Sequence, residues 1–341
     1  MIARAGENGY RVAITGVGAH APEQILTNHD LARMVETSDE WIMERTGIRE
    51  RRIAAPEEAL SDLCLPACRD ALERADAAPA SIDLIIVATV TPDMAFPSTA
   101  AILANQLGSR DAAAYDLSAG CTGFMYALVQ AYGMLAGGLV HRALVVGGDV
   151  LSRILDWEDR TTCVVFGDGA GAAVLERVPR GGFIGFELGA DGSGGPQLTL
   201  PAGGSRAPAT EETVAERLHY VQMNGREVFK FATRVLVSSA ENVLRECGRT
   251  LDEVDVYVPH QANVRIIEYA TKKLGIPVEK VVVNVDRYGN TSSGSIPLAL
   301  ADAEEEGRLE DGKLVLMTGM GAGLTWGSAL VEWISANGGN A

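Results

Sequence analysis

Short apolar runs rich in β-branched residues alternate with longer segments in which apolar residues recur at helical spacing. The strand-like runs before residue 180 are RVAITGVG, IDLIIVATV, AAAYDL, RALVVGGDV and CVVFGDGAGAAVLE. Those that follow are GGFIGFELGA, VDVYVPH, KVVVNVD and KLVLMTGMGAGLTWGSALVEW. Helices are predicted over 28–35, 60–75, 122–136, 225–247, 264–273 and 295–306. This alternation predicts an α/β fold with buried, largely parallel sheets.

The two halves of the chain repeat one order of elements. IDLIIVATVTPD corresponds to VDVYVPHQAN, YDLSAGCTGFMYAL to NVDRYGNTSSGSIPLAL, and FGDGAGAAVLE to TGMGAGLTWGSALVEW. Such self-similarity predicts two duplicated α/β units, residues 1–180 and 181–341, joined near 176–182. We expect a site between the halves, where the ends of equivalent strands meet. The segment 191–212 is predicted to be an irregular surface flap.

Composition and charge restrict the expected cellular location and the classes of binding partner and cofactor. No apolar run reaches the roughly 18 residues that a bilayer-spanning helix needs, and the N-terminus has no signal-peptide core, so we expect a cytoplasmic protein without membrane association. A net charge of −16 disfavours nucleic acid as a partner. The five cysteines form no CxxC pair, and no HExxH, Walker A or complete dinucleotide motif occurs. We therefore expect no disulfide framework, metal or nucleotide cofactor.

Cys121 lies at a predicted strand-to-helix elbow. A strand ends at Leu117, small residues make a turn, and a helix begins at or just after the cysteine. Unpaired backbone N–H groups and the helix dipole are expected to lower the pKa of a thiol there, and the same N–H groups could hold a thioester oxyanion. The other four cysteines are typical of core residues. Cys121 is therefore the predicted nucleophile.

His260 and Asn290 occupy two further strand ends. His260 ends the strand VDVYVP, and the carboxyl ends of strands are where α/β sites form. Asn290 stands in the second half where the Cys121 turn stands in the first, although a helix cap or turn is an equally good reading of this residue alone. A cysteine hydrolase normally has a carboxylate that orients its base. VPHQAN contains none, which favours acyl transfer over hydrolysis.

The motifs SAGCTGF, VPHQAN, YGNTSSGSIP and GAGLTWGSALV, with TSDEWIMERTGIRERR and VFGDGAGAAVL, closely resemble the β-ketoacyl-acyl-carrier-protein synthase III family of the thiolase superfamily. The resemblance implies a five-layered αβαβα thiolase-like fold. It also implies decarboxylative condensation of an acyl-CoA primer with malonyl-acyl carrier protein, which initiates type II fatty acid synthesis. Cys121 would carry the acyl group, neutral His260 and Asn290 would hold the thioester oxygen, and the backbone N–H groups of Cys121 and Ala322 would form the oxyanion hole. The family commonly has glycine at the position of Ala322.

Alternatives and accessory residues follow from the same resemblance. A specialised synthase of polyketide, quinolone or long-chain ketone formation would keep the same three residues, and a thioesterase or a catalytically silent scaffold fits them less well.

The CoA and pantetheine site would comprise Thr37, Trp41, Arg45, Arg160, Asn224, Gly225, Phe229 and Arg265. Acyl-CoA would be a substrate, so no cofactor is expected. Phe96 would cross a homodimer interface to close the partner's acyl pocket. A basic rim for the acidic carrier protein would comprise Lys230, Arg234, Arg265, Lys272 and Lys273, unless these are ordinary solvated side chains.

Overall fold

Two five-stranded sheets form the framework of the protein, in a computed structural model that describes residues 1–5 and 10–334. The first sheet contains, in spatial order, β2 (Arg11–His20), β8 (Gly169–Val178), β7 (Arg142–Asp149), β5 (Leu84–Ala88) and β6 (Ala113–Leu117). The second contains β1 (Ile2–Arg4), β9 (Gly182–Ala190), β14 (Thr325–Glu332), β13 (Leu314–Gly321) and β12 (Val256–Pro259). Two separate ribbons pair β3 (Gln24–Thr27) with β4 (Glu50–Ile53) and β10 (Leu198–Thr199) with β11 (Gln222–Met223).

The helices lie in three layers around these sheets. They are α1 (Asn28–Leu31), α2 (Asp39–Thr46), α3 (Leu60–Arg74), α4 (Thr99–Leu107), α5 (Gly123–Ala136), α6 (Glu211–Ala215), α7 (Gly225–Cys247), α8 (Val264–Leu274), α9 (Val285–Tyr288) and α10 (Ser295–Glu305). Helices α3 and α4 cover the outer face of the first sheet, α5 and α10 lie between the sheets, and α7 and α8 cover the second. Because α5 packs against both sheets, it is apolar around most of its circumference. The five-layered α/β architecture predicted from the sequence is confirmed.

The strand directions differ from the sequence-based expectation. Within the two sheets β5–β6, β5–β7 and β12–β13 are parallel, whereas β2–β8, β7–β8, β1–β9, β9–β14 and β13–β14 are antiparallel. The expectation of largely parallel sheets is therefore wrong. The physical reason is clearest at β13 and β14, where only a few residues join the strands, because a short connection permits only an antiparallel return.

The strand order repeats between the halves. β9, β14, β13 and β12 follow one another in the second sheet as β2, β8, β7 and β5 do in the first. The run KVVVNVD occupies the position in the second sheet that β6 occupies in the first. The sequence predicts a strand there, but in the described residues the run makes only one parallel bridge, Tyr257 to Val281, before α9 begins. Along the chain, β8 ends at Val178 and β9 begins at Gly182. No helix of the described ranges is long and apolar enough to cross a bilayer.

Candidate active site

Cys121 lies in a tight turn between β6 and α5. The single 3₁₀ turn Gly120–Thr122 follows the strand, and α5 begins at Gly123, as the predicted elbow requires. Gly120 has a φ of 56°, which favours glycine, and a Cβ on Gly321 would stand 2.5 Å from the backbone nitrogen of Cys121. The end of β13 therefore approaches the turn closely, and the backbone N–H groups of Cys121 and Ala322 are near enough to the thiol to lower its pKa slightly.

The pKa of the Cys121 thiol lies above its ordinary value, so the expectation of a lowered pKa is wrong. Burial is the largest cause and raises the pKa to about 11, with a smaller contribution from the carboxylate of Asp149. Hydrogen bonds from the Ser292 hydroxyl and the two backbone N–H groups lower the pKa, but by less than burial raises it. The resting thiol is therefore protonated at neutral pH.

His260 follows β12 and is 1% exposed. Its backbone N–H donates to the Thr318 carbonyl at 2.8 Å, which fixes the residue to the neighbouring strand β13. Nδ1 is hydrogen-bonded to Ser295 Oγ, whereas the buried Nε2 has no hydrogen-bond partner among the described residues. Burial lowers the pKa of His260 to about 3, so the imidazole is neutral at physiological pH.

Asn290 is held by its backbone against the first half of the chain. Its N–H donates to the Val165 carbonyl at 2.9 Å, and its carbonyl accepts from the Gly167 N–H at 3.1 Å. Its Oδ1 accepts from the Ser292 N–H at 2.9 Å. Because Oδ1 is occupied in this way, the orientation of the amide is fixed and Nδ2 remains available as a donor. The cap-or-turn interpretation is partly correct, since the side chain does close a turn.

The three residues share one cavity. Cys121, His260 and Asn290 line a space of about 130 Å³ that is also bordered by Phe229 and Met320. It has Val165, Gly225, Phe229 and Asn263 in common with an outer cavity of about 570 Å³. On its other side it has Cys121, Phe166 and Leu198 in common with an apolar pocket of about 170 Å³. The three cavities therefore adjoin one another in the order outer cavity, cavity of the thiol and apolar pocket, and together they are called the channel.

Five of the residues expected to bind CoA line the outer cavity, namely Trp41, Arg45, Gly225, Phe229 and Arg265. The guanidinium carbons of Arg45 and Arg160 lie 4.5 and 5.4 Å from the centre of the Trp41 ring. Arg160, Thr37 and Asn224 are the three expected residues that do not line these cavities. Thr37 has a buried hydroxyl without a hydrogen-bond partner among the described residues, and Asn224 caps α7 by accepting from the Glu227 N–H.

The expected basic rim divides into two groups. Lys230 and Arg265 line the outer cavity, and Arg234 borders an adjacent hollow together with Lys230. Lys272 and Lys273 lie in the last turn of α8, about 10 Å along the helix from Arg265, and belong to neither wall. All five side chains are exposed. Phe96, expected at a dimer interface, is 85% exposed in a loop after β5.

Sequence reasoning missed several residues of the site. Phe166 lies on the walls of both inner cavities, and Arg226 adds a further cation to the outer one. The hydroxyls of Ser292 and Ser295 reach the cysteine and the histidine. Both serines fall inside the motif YGNTSSGSIP, so the motif contained the signal, but nothing in its spacing distinguished them from ordinary turn residues. No group of three or more metal-ligating side chains occurs in 1–5 and 10–334.

Comparisons with known proteins agree on one family. Residues 115–192 match the family 3-oxoacyl-[acyl-carrier-protein (ACP)] synthase III, and residues 244–333 match its C-terminal family. Beta-ketoacyl-[acyl-carrier-protein] synthase III from Symbiobacterium thermophilum is 58% identical over 323 residues, with 94% of this chain and 98% of the relative covered. Its counterpart from Desulfitobacterium hafniense is 54% identical at the same coverage. The crystal structure of the Aquifex aeolicus 3-oxoacyl-[acyl-carrier-protein] synthase III superposes with a TM-score of 0.88 at 44% identity, covering 94% of this chain and 100% of that one.

Proposed function

The chain belongs to the β-ketoacyl-acyl-carrier-protein synthase III family of condensing acyltransferases, which initiate fatty acid synthesis, and we propose that Cys121, His260 and Asn290 carry out its chemistry. The observation that supports this assignment best is the shared cavity. The Cys121 thiol and two neutral polar side chains lie together there, between an outer cavity lined by several cations and an apolar pocket. An acyl thioester entering from the surface would present its carbonyl at the sulfur and its alkyl chain to the apolar end.

Acyl transfer begins with attack of the Cys121 sulfur on the carbonyl carbon of acyl-CoA. The new C–S bond places negative charge on the carbonyl oxygen, and the backbone N–H groups of Cys121 and Ala322, which lie near the sulfur, would donate to that oxygen. Collapse of the intermediate breaks the bond to the CoA sulfur. The proton lost by the cysteine ends on the CoA thiolate, so this half-reaction has no net proton change and needs no cofactor.

Condensation uses the two donors of the second half. When the carboxylate of malonyl-acyl carrier protein leaves as CO2, its electron pair forms an enolate with charge on the thioester oxygen. Nδ2 of Asn290 and the imidazole of His260 would hold that oxygen, and both are neutral groups that leave the malonyl carboxylate unpaired. The enolate carbon then attacks acyl-Cys121, the C–S bond breaks, and the released thiolate takes a proton from solvent.

The outer cavity is the proposed site for the nucleotide end of CoA. Trp41 offers a ring on which an adenine could stack, and Arg45, Arg160 and Arg265 supply positive charge for phosphates. The cations Lys230 and Arg234 extend this charge beyond the cavity. On a protein of net charge −16 they would orient an acidic carrier protein toward the channel. Such thioesters are intracellular metabolites, which fits a cytoplasmic location.

A homodimer is proposed from the first sheet and the loop beside it. β6 is the edge strand of that sheet, and Phe96 exposes its ring almost completely. An exposed aromatic ring and an unpaired strand edge are each typical of an interaction surface. Sedimentation velocity should show a dimer for the wild-type protein and a lower mass for Phe96→Asp. A monomeric wild-type protein would contradict the proposal.

Intact-protein mass spectrometry tests the assigned chemistry directly. After incubation with a panel of acyl-CoAs, the protein should carry one acyl adduct that malonyl-acyl carrier protein discharges with CO2 release. The adduct should disappear in Cys121→Ala and persist in Cys68→Ala, which alters a buried cysteine of α3 remote from the channel. An adduct that persists in Cys121→Ala would show that another residue is the nucleophile. Hydrolysis of the adduct without C–C bond formation would instead indicate a thioesterase.

A further inference from the structure

We propose that Ser295 is a positioning residue that holds His260 in the tautomer with its hydrogen on Nε2. Ser295 is the first residue of α10 and is 1% exposed. Its Oγ is hydrogen-bonded to Nδ1 of His260 and accepts the N–H of Gln261 at 3.3 Å. No role in catalysis follows for this serine from the motif alone, since a serine in the first helical turn is commonplace.

The direction of the hydrogen bond follows from the partners of the hydroxyl. A serine hydroxyl has one proton to donate and two lone pairs that accept. The Gln261 N–H uses one lone pair. Within residues 1–5 and 10–334, His260 Nδ1 is the only acceptor within hydrogen-bonding distance of the hydroxyl. If Nδ1 carried the hydrogen instead, the Ser295 proton would be buried without an acceptor, which is unfavourable. Nδ1 therefore accepts, and the ring hydrogen resides on Nε2.

This tautomer determines what the imidazole offers to a substrate. Nε2 is buried, has no partner in the described chain and belongs to a ring that lines the cavity with Cys121 and Asn290. An Nε2–H group is a donor, so it complements the amide of Asn290 in holding an enolate oxygen. The same group cannot accept the thiol proton of Cys121. The inference rests on the proposed function and deepens it, because it gives Ser295 the task of keeping His260 in the tautomer that its proposed role in condensation requires.

Nitrogen-15 NMR of histidine-labelled protein tests the tautomer without any substrate. We expect the His260 signals of the wild-type protein to show a protonated Nε2 and an unprotonated Nδ1 near pH 7. Ser295→Thr keeps the hydroxyl and should keep this pattern, whereas Ser295→Ala should shift the ring toward a mixture of tautomers. A wild-type spectrum with hydrogen on Nδ1 would overturn the proposal, whatever the enzyme catalyses and however the variants fold.

Single-turnover kinetics separate the two half-reactions. In Ser295→Ala, CO2 release from malonyl-acyl carrier protein by pre-acylated enzyme should fall about ten-fold or more, while acyl transfer from acyl-CoA stays within about two-fold. Ser295→Thr should restore most of the lost rate. Ser239→Ala is the matched control, because it removes a buried hydroxyl bonded to Ser328 on the far side of the second sheet. Equal losses in both half-reactions would show that Ser295 serves only to maintain the structure.

If the wild-type protein forms no acyl adduct or releases no CO2, the proposed function fails, and the NMR result still decides the tautomer.

Discussion

A drop in pH from about 7.5 to about 5.0 should destabilise the folded protein through His260 while the imidazole itself stays neutral. Burial lowers the pKa of His260 from 6.5 to about 3. At about pH 5 the unfolded chain would be about 97% protonated at this residue and the folded chain about 1%. Because the unfolded state binds the additional proton, the free energy of unfolding falls as the pH drops below 6.5 and continues to fall toward pH 3. Integration between the two pH values gives a loss of about 2 kcal/mol.

Guanidinium unfolding of the wild-type protein and His260→Gln at both pH values measures this contribution. The wild-type protein should lose about 2 kcal/mol more than the variant, since the subtraction cancels the other titrating groups. In parallel, the NMR signal assigned to His260 by its absence from the variant should not titrate between about pH 5 and 8. An imidazole that titrates near pH 6.5, or an equal loss of stability in both proteins, would refute the burial argument.

Three further perturbations test the channel. Gly321→Ala should slow acyl-adduct formation about 100-fold, because its added methyl group would displace the backbone N–H of Cys121. Gly204→Ala is the control, since its methyl group would meet no atom within 4 Å. Leu151→Ala enlarges the apolar pocket and should raise kcat/KM for a longer acyl-CoA relative to acetyl-CoA about ten-fold; an unchanged ratio would place the acyl chain elsewhere. Arg234→Glu should raise the KM for malonyl-acyl carrier protein about five-fold and leave the rate of acyl transfer from acyl-CoA unchanged. Arg69→Glu, on the exposed face of α3 in the opposite outer layer, is the control and should leave that KM unchanged.

The sequence predicts the elements of this fold better than their directions. The duplicated order of strands and helices is visible because each run has its own hydrophobic period. Whether two strands pair parallel or antiparallel depends on partners that are distant in the chain, and β2 with β8 is an example. The run KVVVNVD has strand-like composition, yet after Val281 the chain turns into α9 instead of continuing along β12. Tertiary context overrides local propensity there.

The positions of the site residues were more predictable than their environments. Cys121, His260 and Asn290 stand at ends of strand-like runs, and a duplicated fold brings equivalent ends together. The pKa of Cys121 was predicted in the wrong direction because a sequence reveals the helix start but not the depth of burial. The sequence does not predict the role of Ser295 for a related reason, since that role depends on which ring nitrogen of His260 the hydroxyl contacts.

The electrostatics of the cavity suit a reaction in which negative charge moves and does not accumulate. The thiol is protonated and the imidazole neutral in the resting protein, and Asn290 is uncharged, so the cavity holds no cation that would stabilise the malonyl carboxylate. Decarboxylation transfers that charge to the thioester oxygen, to which His260 and Asn290 would donate hydrogen bonds. In the proposed mechanism their interaction with the substrate would strengthen as the charge arrives, which would lower the barrier and not merely the energy of the bound substrate. A cationic residue in place of either would bind the carboxylate before the reaction and forfeit part of this advantage.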